Sequence, residues 1–108
     1  MLDDAAFVRL ADETITRLFE QLEDAVGDVA DVDLQEGILT IDFEDQGRLG
    51  LNKHQPNRQI WLASPASGAA HFAWNGSRWV STRGGGEALL DVLRADLAKL
   101  SGEQIALD

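Results

Sequence analysis

The chain has 108 residues, 44% of them hydrophobic and 26% charged; that suffices for one hydrophobic core, so residues 1–108 are expected to form a single domain. Cysteine is absent, which excludes disulfides, thiolate nucleophiles and thiolate metal sites. The net charge of −10 is unevenly spread: residues 1–36 hold eleven acids against Arg9 and Arg17, while residues 46–83 hold no acid but carry Arg48, Lys53, Arg58, Arg78 and Arg83. A strongly negative end repels nucleic-acid phosphates and favours cations or a basic protein surface. No apolar run reaches the roughly 18–20 residues of a membrane span. The N-terminus lacks the pattern of a signal or transit peptide. Neither nucleic acid nor membrane is expected as a partner, and a bacterial cytoplasmic location is expected.

Residues 3–26 are predicted to be helical. Phe7, Leu10, Ala11, Thr14, Leu18, Leu22 and Ala25 recur at steps of three and four and form one apolar stripe. Asp3 is placed to cap the helix, Leu2 and Phe7 to staple its first turn, and Gly27 to end it. Arg9–Glu13 and Glu13–Arg17 have the spacing of i, i+4 pairs, which would balance the first half of the helix.

Six short alternating runs follow. Val32 and Leu34 mark the first, closed by Glu36-Gly37. Leu39, Ile41 and Phe43 mark the second, Leu49 and Leu51 the third, Ile60 and Leu62 the fourth. Phe72 and Trp74 lie on one side of the fifth with His71 on the other, and Asn75-Gly76 signals a hairpin into a sixth around Trp79 and Val80. Arg83-Gly84-Gly85-Gly86 then opens a last helix near Glu87–Leu100, with the stripe Leu89, Leu90, Leu93, Leu97 and Leu100 and a stop at Gly102. Short links imply a mainly antiparallel sheet, and each helix has one apolar stripe. The expected fold is α+β: a two-layer α-β sandwich with two helices on one face of a six-stranded sheet.

One stretch breaks local rules. Glu20, Glu23 and Asp24 share a helical face at i, i+3 and i+4, and Asp28, Asp31 and Asp33 follow without an intervening cation. Like charges at this spacing, in the last turns of a helix, oppose both their neighbours and the macrodipole. Such oxygen-only ligands suit hard cations, held weakly at several overlapping places with much residual water. The calcium-loop spacing of an EF-hand is missing. If Ile60 and Leu62 face the helices, Trp61 faces outward, with Gln59 beside it in phase and Asn52 outward on the preceding strand. An outward tryptophan fits contact with a partner; Trp74 and Trp79 fit core or sheet-edge packing. No nucleophile–base–acid set can be assembled, and His71 reads as an outward strand residue bonded to a neighbour. The Gly84–Gly86 run lacks the spacing and lysine of a phosphate loop and reads as a flexible cap.

The block Asn52-Lys53-His54-Gln55-Pro56-Asn57-Arg58-Gln59-Ile60-Trp61-Leu62-Ala63-Ser64, with Ser67-Gly68 and His71-Phe72 after the acidic helix, resembles the bacterial frataxins. The similarity covers almost the whole length. It implies an iron-binding accessory protein of iron–sulfur cluster assembly, with no enzymatic activity, that contacts a cysteine desulfurase and the scaffold protein. The family's acidic ridge maps onto Glu20, Glu23, Asp24, Asp28, Asp31 and Asp33, with Asp12, Glu13 and Glu36 at its margins. The resemblance implies weak, reversible binding of Fe2+ or Fe3+ there. It also implies desulfurase docking through Glu20, Glu23 and Asp24, and scaffold contact through Asn52, Gln59 and Trp61. The chain departs from the family at Val26 and Val29, where relatives often carry acids, and at Val8, which can be histidine. A monomer is expected, with a metal-induced oligomer as the other possibility. The competing reading is a ferroxidase or iron-storage oligomer. A third is a partner-binding module with incidental metal affinity.

Overall fold

Alternation along the middle of the chain decides which face of the sheet is buried. The computed structural model describes residues 2–107. Its order is α1 (Asp4–Val26), β1 (Asp31–Gln35), β2 (Ile38–Asp42), β3 (Arg48–His54), β4 (Gln59–Ser64), β5 (Gly68–Trp74), β6 (Trp79–Ser81) and α2 (Leu89–Ser101), with short 3-10 turns at Glu44–Gln46 and Gln55–Asn57. The strands lie side by side in chain order, and every neighbouring pair is antiparallel. Leu39, Ile41, Leu49, Leu51, Ile60, Leu62 and Phe72 all point to one face. There they join Phe7, Ile15, Leu18 and Leu22 of α1 and Leu89, Leu93 and Leu97 of α2 in one buried cluster. Both helices therefore cover the same side of an open antiparallel meander, as expected.

The pairing keeps this face in phase. Leu39 lies opposite Leu51, Leu51 opposite Leu62, and Ile60 opposite Phe72. A slip of one residue would move the whole apolar set to solvent, so the register is strongly specified. The β1–β2 hairpin is a two-residue turn with Glu36 at φ 53° and Gly37 at φ 79°. Positive φ at both central positions matches the twist of the flanking strands. The β5–β6 hairpin is longer than Asn75-Gly76 alone. It spans Asn75–Arg78, closed by the Asn75 N–H donating to the Arg78 carbonyl at 3.0 Å, while Asn75 Oδ1 accepts from Ser77 and Arg78 N–H.

α1 begins as its sequence implies: Asp3 Oδ1 accepts the Ala6 N–H at 2.8 Å, and Leu2 packs on the core. Its stripe runs through Phe7, Ala11, Ile15, Leu18, Leu22 and Val26, so Val26 takes the buried place expected of Ala25, which is exposed. Thr14 stays at the stripe's edge because its hydroxyl has two partners, donating to the Leu10 carbonyl at 2.8 Å and accepting the Trp79 Nε1–H at 3.1 Å. Gly27 ends the helix in the right-handed region, at φ −58°. The Val29 and Ala30 N–H groups both turn back to the Val26 carbonyl, so a tight turn makes the stop.

α2 starts two residues later than expected. Gly84 and Gly86 have positive φ and turn the chain back on the sheet. The Glu87 carbonyl then accepts the Ser81 N–H at 2.8 Å, and Ala88 bridges Val80. Extended pairing to β6 thus occupies the first two residues assigned to the helix. The glycine run lies before that pairing and does not cap α2. The Gly102 stop holds, with left-handed backbone at φ 78° and its N–H on the Ala98 carbonyl.

Phe72, fully buried on the central face, tests this layout. Phe72→Ala is expected to lose about 3–5 kcal/mol through lost transfer energy and the remaining cavity. Urea unfolding should show a lower midpoint with an unchanged slope; a loss below about 1 kcal/mol would mean the sheet phase is wrong.

Candidate functional site

The charges of α1 divide into a half that is answered and a half that is not. From the turn before β4, Arg58 Nε reaches Asp4 Oδ1 at 2.9 Å, and from β3, Lys53 Nζ reaches Asp12 Oδ1 at 2.6 Å. The expected Arg9–Glu13–Arg17 ladder forms no ion pair among the described residues. All three of those side chains are exposed, and exposed i, i+4 pairs gain little over hydration. Asp12, expected at the ridge margin, is therefore already neutralised.

Beyond it the six singled-out acids stand open. Glu20, Glu23, Asp24, Asp28, Asp31 and Asp33 are all exposed, and none forms an ion pair among the described residues. Glu20, Glu23 and Asp24 lie on the solvent side of α1. Val32 and Leu34 of β1 pack toward the core, which turns Asp31 and Asp33 outward on the edge strand. The turn at 27–30, with Asp28 exposed in it, links the two sets. Val29, 53% exposed, interrupts the acids at its crest. The ridge thus passes from the helical layer to the open side of the sheet.

Among the described residues, no group of three or more His, Cys, Asp or Glu is close enough to hold a metal together. The donors fit a hard cation met by one or two carboxylates and keeping most of its water, and they do not form a cage. Asp42, not singled out in the sequence, adds to the field. It lies directly opposite Asp31, accepts the Glu44 N–H at 2.9 Å and meets Arg48 Nη2 at 3.2 Å. The Glu44 N–H, then Arg48, hold its carboxyl below the ordinary 3.8. Like charges facing across strands repel, and these two contacts offset that repulsion.

The open sheet face carries the second set. Register places Asn52 opposite Trp61, His54 opposite Gln59 and Trp61 opposite His71. Trp61 faces away from the core and is half-buried. Its Nε1–H donates to Gln59 Oε1 at 2.8 Å. Its indole is stacked between two imidazoles: His54 at 3.6 Å and His71 at 4.2 Å between ring centroids, each within 10° of parallel. Asn52 Nδ2 donates to the Lys53 carbonyl at 3.1 Å. His71 is outward, as expected, but it stacks and has no side-chain hydrogen bond among the described residues. His54 had no role in the sequence reading; its alternation with Asn52 is the signal that could have found it. Trp74 and Trp79 pack edge-to-face at 5.4 Å on the helix side, in the core and edge roles expected of them.

Asp42 gives a test of the edge. Its folded pKa is depressed, so its stabilising share is present above the unfolded value and is lost as pH falls through the folded one. Asp42→Asn should therefore flatten the fall in stability below about pH 4. Urea midpoints at pH 3 and pH 6 measure this. An unchanged difference between the two would show that Arg48 and the Glu44 N–H do not hold the charge.

Comparison with known proteins agrees with this geometry. A family profile described as a frataxin-like domain matches residues 1–103. The iron–sulfur cluster assembly protein CyaY of Thioalkalivibrio sulfidiphilus is 41% identical over 108 residues, covering 96% of this chain and 98% of that one. The CyaY of Psychromonas ingrahamii is 35% identical over 104 residues, covering 96% of each. Among solved structures, frataxin from Psychromonas ingrahamii superposes with a TM-score of 0.84 at 32% identity, covering 96% of both chains. The crystal structure of trimeric frataxin from the yeast Saccharomyces cerevisiae, complexed with ferrous iron, gives 0.74 at 34% identity, covering 95% of this chain and 89% of that one. With helix order, meander topology and sequence all in agreement over nearly the full length, this chain belongs to the frataxin family.

Proposed function

We propose that this protein is a non-enzymatic, iron-binding regulator of iron–sulfur cluster assembly, acting as one frataxin-like domain in the bacterial cytoplasm. The observation that carries the reading is the partition of charge. Asp4 and Asp12 are answered by Arg58 and Lys53, while Glu20, Glu23, Asp24, Asp28, Asp31 and Asp33 are exposed and form no ion pair among the described residues. The two relatives named as iron–sulfur cluster assembly proteins support the pathway, and the ferrous complex of yeast frataxin supports the metal. Among the described residues no helix is long and apolar enough to cross a membrane.

In this reading the ridge has two uses. It takes Fe2+ or Fe3+ as weakly held cargo, and Glu20, Glu23 and Asp24 dock on a basic patch of a cysteine desulfurase. The Asn52, Gln59 and Trp61 face meets the scaffold protein. Docking by unpaired surface charge raises association rates and weakens as salt screens it. A second reading, a ferroxidase or iron-storage oligomer, draws on the trimeric yeast structure. Redox iron chemistry ordinarily uses donors fixed around the metal, and the exposed, spread carboxylates favour the regulator. Saturable oxygen uptake on adding substoichiometric Fe2+ would favour the enzyme instead.

Charge reversal decides the docking claim. Glu20→Lys with Glu23→Lys should weaken desulfurase binding at least tenfold at low ionic strength and flatten its salt dependence. Calorimetric titration at two salt concentrations measures both. Equal affinities for the variant and the parent at both concentrations would rule this docking mode out. Thermal stability is expected to be kept or slightly raised, because both side chains are exposed and the carboxylates that the lysines replace oppose each other and the macrodipole.

A further inference from the structure

Trp61 is closely held on the open face. Both faces of its indole are covered by parallel imidazoles, at 3.6 Å from His54 and 4.2 Å from His71, and its only N–H is engaged by Gln59 at 2.8 Å. Three strands supply the stack: His54 from the end of β3, Trp61 from β4, His71 from β5. The histidines spend nothing on other specific contacts, since neither side chain forms an ion pair or hydrogen bond among the described residues. His54 Nδ1 is buried without a partner. An unpaired buried nitrogen is unfavourable, so the ring's place is explained by what it stacks on.

We propose that His54 and His71 are positioning residues, a clamp that fixes the Trp61 indole before any partner arrives and leaves only its remaining edge to be met. This deepens the scaffold-docking reading and depends on it only for the consequence in binding. A long or aromatic side chain that is mobile beforehand must be ordered on association, which weakens binding; a ring already sandwiched between two others has been ordered by folding. The clamp also sets the mode of contact. A partner aromatic or guanidinium that would stack flat on the indole is shut out by the imidazoles, so recognition is edge-on.

The test separates the clamp from its use. In 15N-labelled protein the Trp61 indole N–H resonance is assigned by its loss in Trp61→Phe, and its heteronuclear NOE reports how rigidly the ring is held. His54→Ala with His71→Ala should lower that NOE and raise the Kd for an iron–sulfur scaffold protein about three- to tenfold. His54→Phe with His71→Phe keeps planar rings and should restore both. If the alanine pair does not fold, the single alanine variants are read in the same way. An indole equally rigid in the alanine variants, or one that the phenylalanine pair fails to re-order, overturns the clamp. If ring order falls and recovers as expected while even the parent protein fails to bind the scaffold, the clamp stands and the docking reading fails.

Discussion

The molecule depends on a sheet with a single apolar face. Leu39, Ile41, Leu49, Leu51, Ile60, Leu62 and Phe72 can reach the helices only if every strand keeps the same phase. Because side chains alternate with a period of two, that phase also determines what cannot be buried. Burying Ile60 and Leu62 turns Trp61 out. Turning Val32 and Leu34 toward the core pushes Asp31 and Asp33 to the edge. The candidate functional surfaces are thus the complement of the core pattern, and no separate scaffold is needed to present them.

Charge follows the same geometry. Lys53 is in phase with Leu49 and Leu51, so it leaves β3 on the helix side and meets Asp12; Arg58, in the turn before β4, reaches Asp4. The sheet's basic segment is thereby drawn toward the first half of α1. Among the described residues no cation forms an ion pair with Glu20, Glu23 or Asp24 in the second half, where the macrodipole already disfavours carboxylates. The penalty for each is a few tenths of a kcal/mol to about 1 kcal/mol. A domain of this size, with a stability of order 5–15 kcal/mol, can carry that. The arrangement sacrifices a little stability for a surface whose field is not cancelled from within.

What was legible in the sequence, and what was not, divides by the range of the contact. Helix stripes, strand phases and the outward side of Trp61 all come from periodicity over a few residues, and the structure has them. The Arg9–Glu13–Arg17 ladder has the right spacing and forms no ion pair among the described residues, because all three side chains are exposed and hydration competes with the pairs. Lys53 lies 41 positions from Asp12 and Arg58 lies 54 from Asp4; nothing local announces such pairs. The late start of α2 has the same origin, since a backbone bond from Ser81 holds Glu87 extended. The stacking role of His54 is not local either, since it requires knowing which residues of β4 lie opposite β3. The six acids were legible as a run. So was their spread over several weak places, which agrees with the absence of a three-ligand group among the described residues.

The two candidate surfaces differ in kind, and that difference constrains how they could work together. The ridge is exposed, hydrated and unpaired, which suits attraction at a distance and little geometric discrimination. The Trp61 face is stacked and hydrogen-bonded, which suits shape-specific contact and adds little to long-range attraction. If one set of carboxylates serves both a cation and a basic protein patch, the two ligands must affect each other. A cation bound at Glu20 or Glu23 removes negative charge that the protein partner would have met, and linkage requires the partner to weaken the cation by the same factor. In the proposed reading no such coupling is imposed on the Trp61 face, where contact would rest on ring order more than on net charge. A protein built this way can let metal occupancy adjust one association while leaving the other in place.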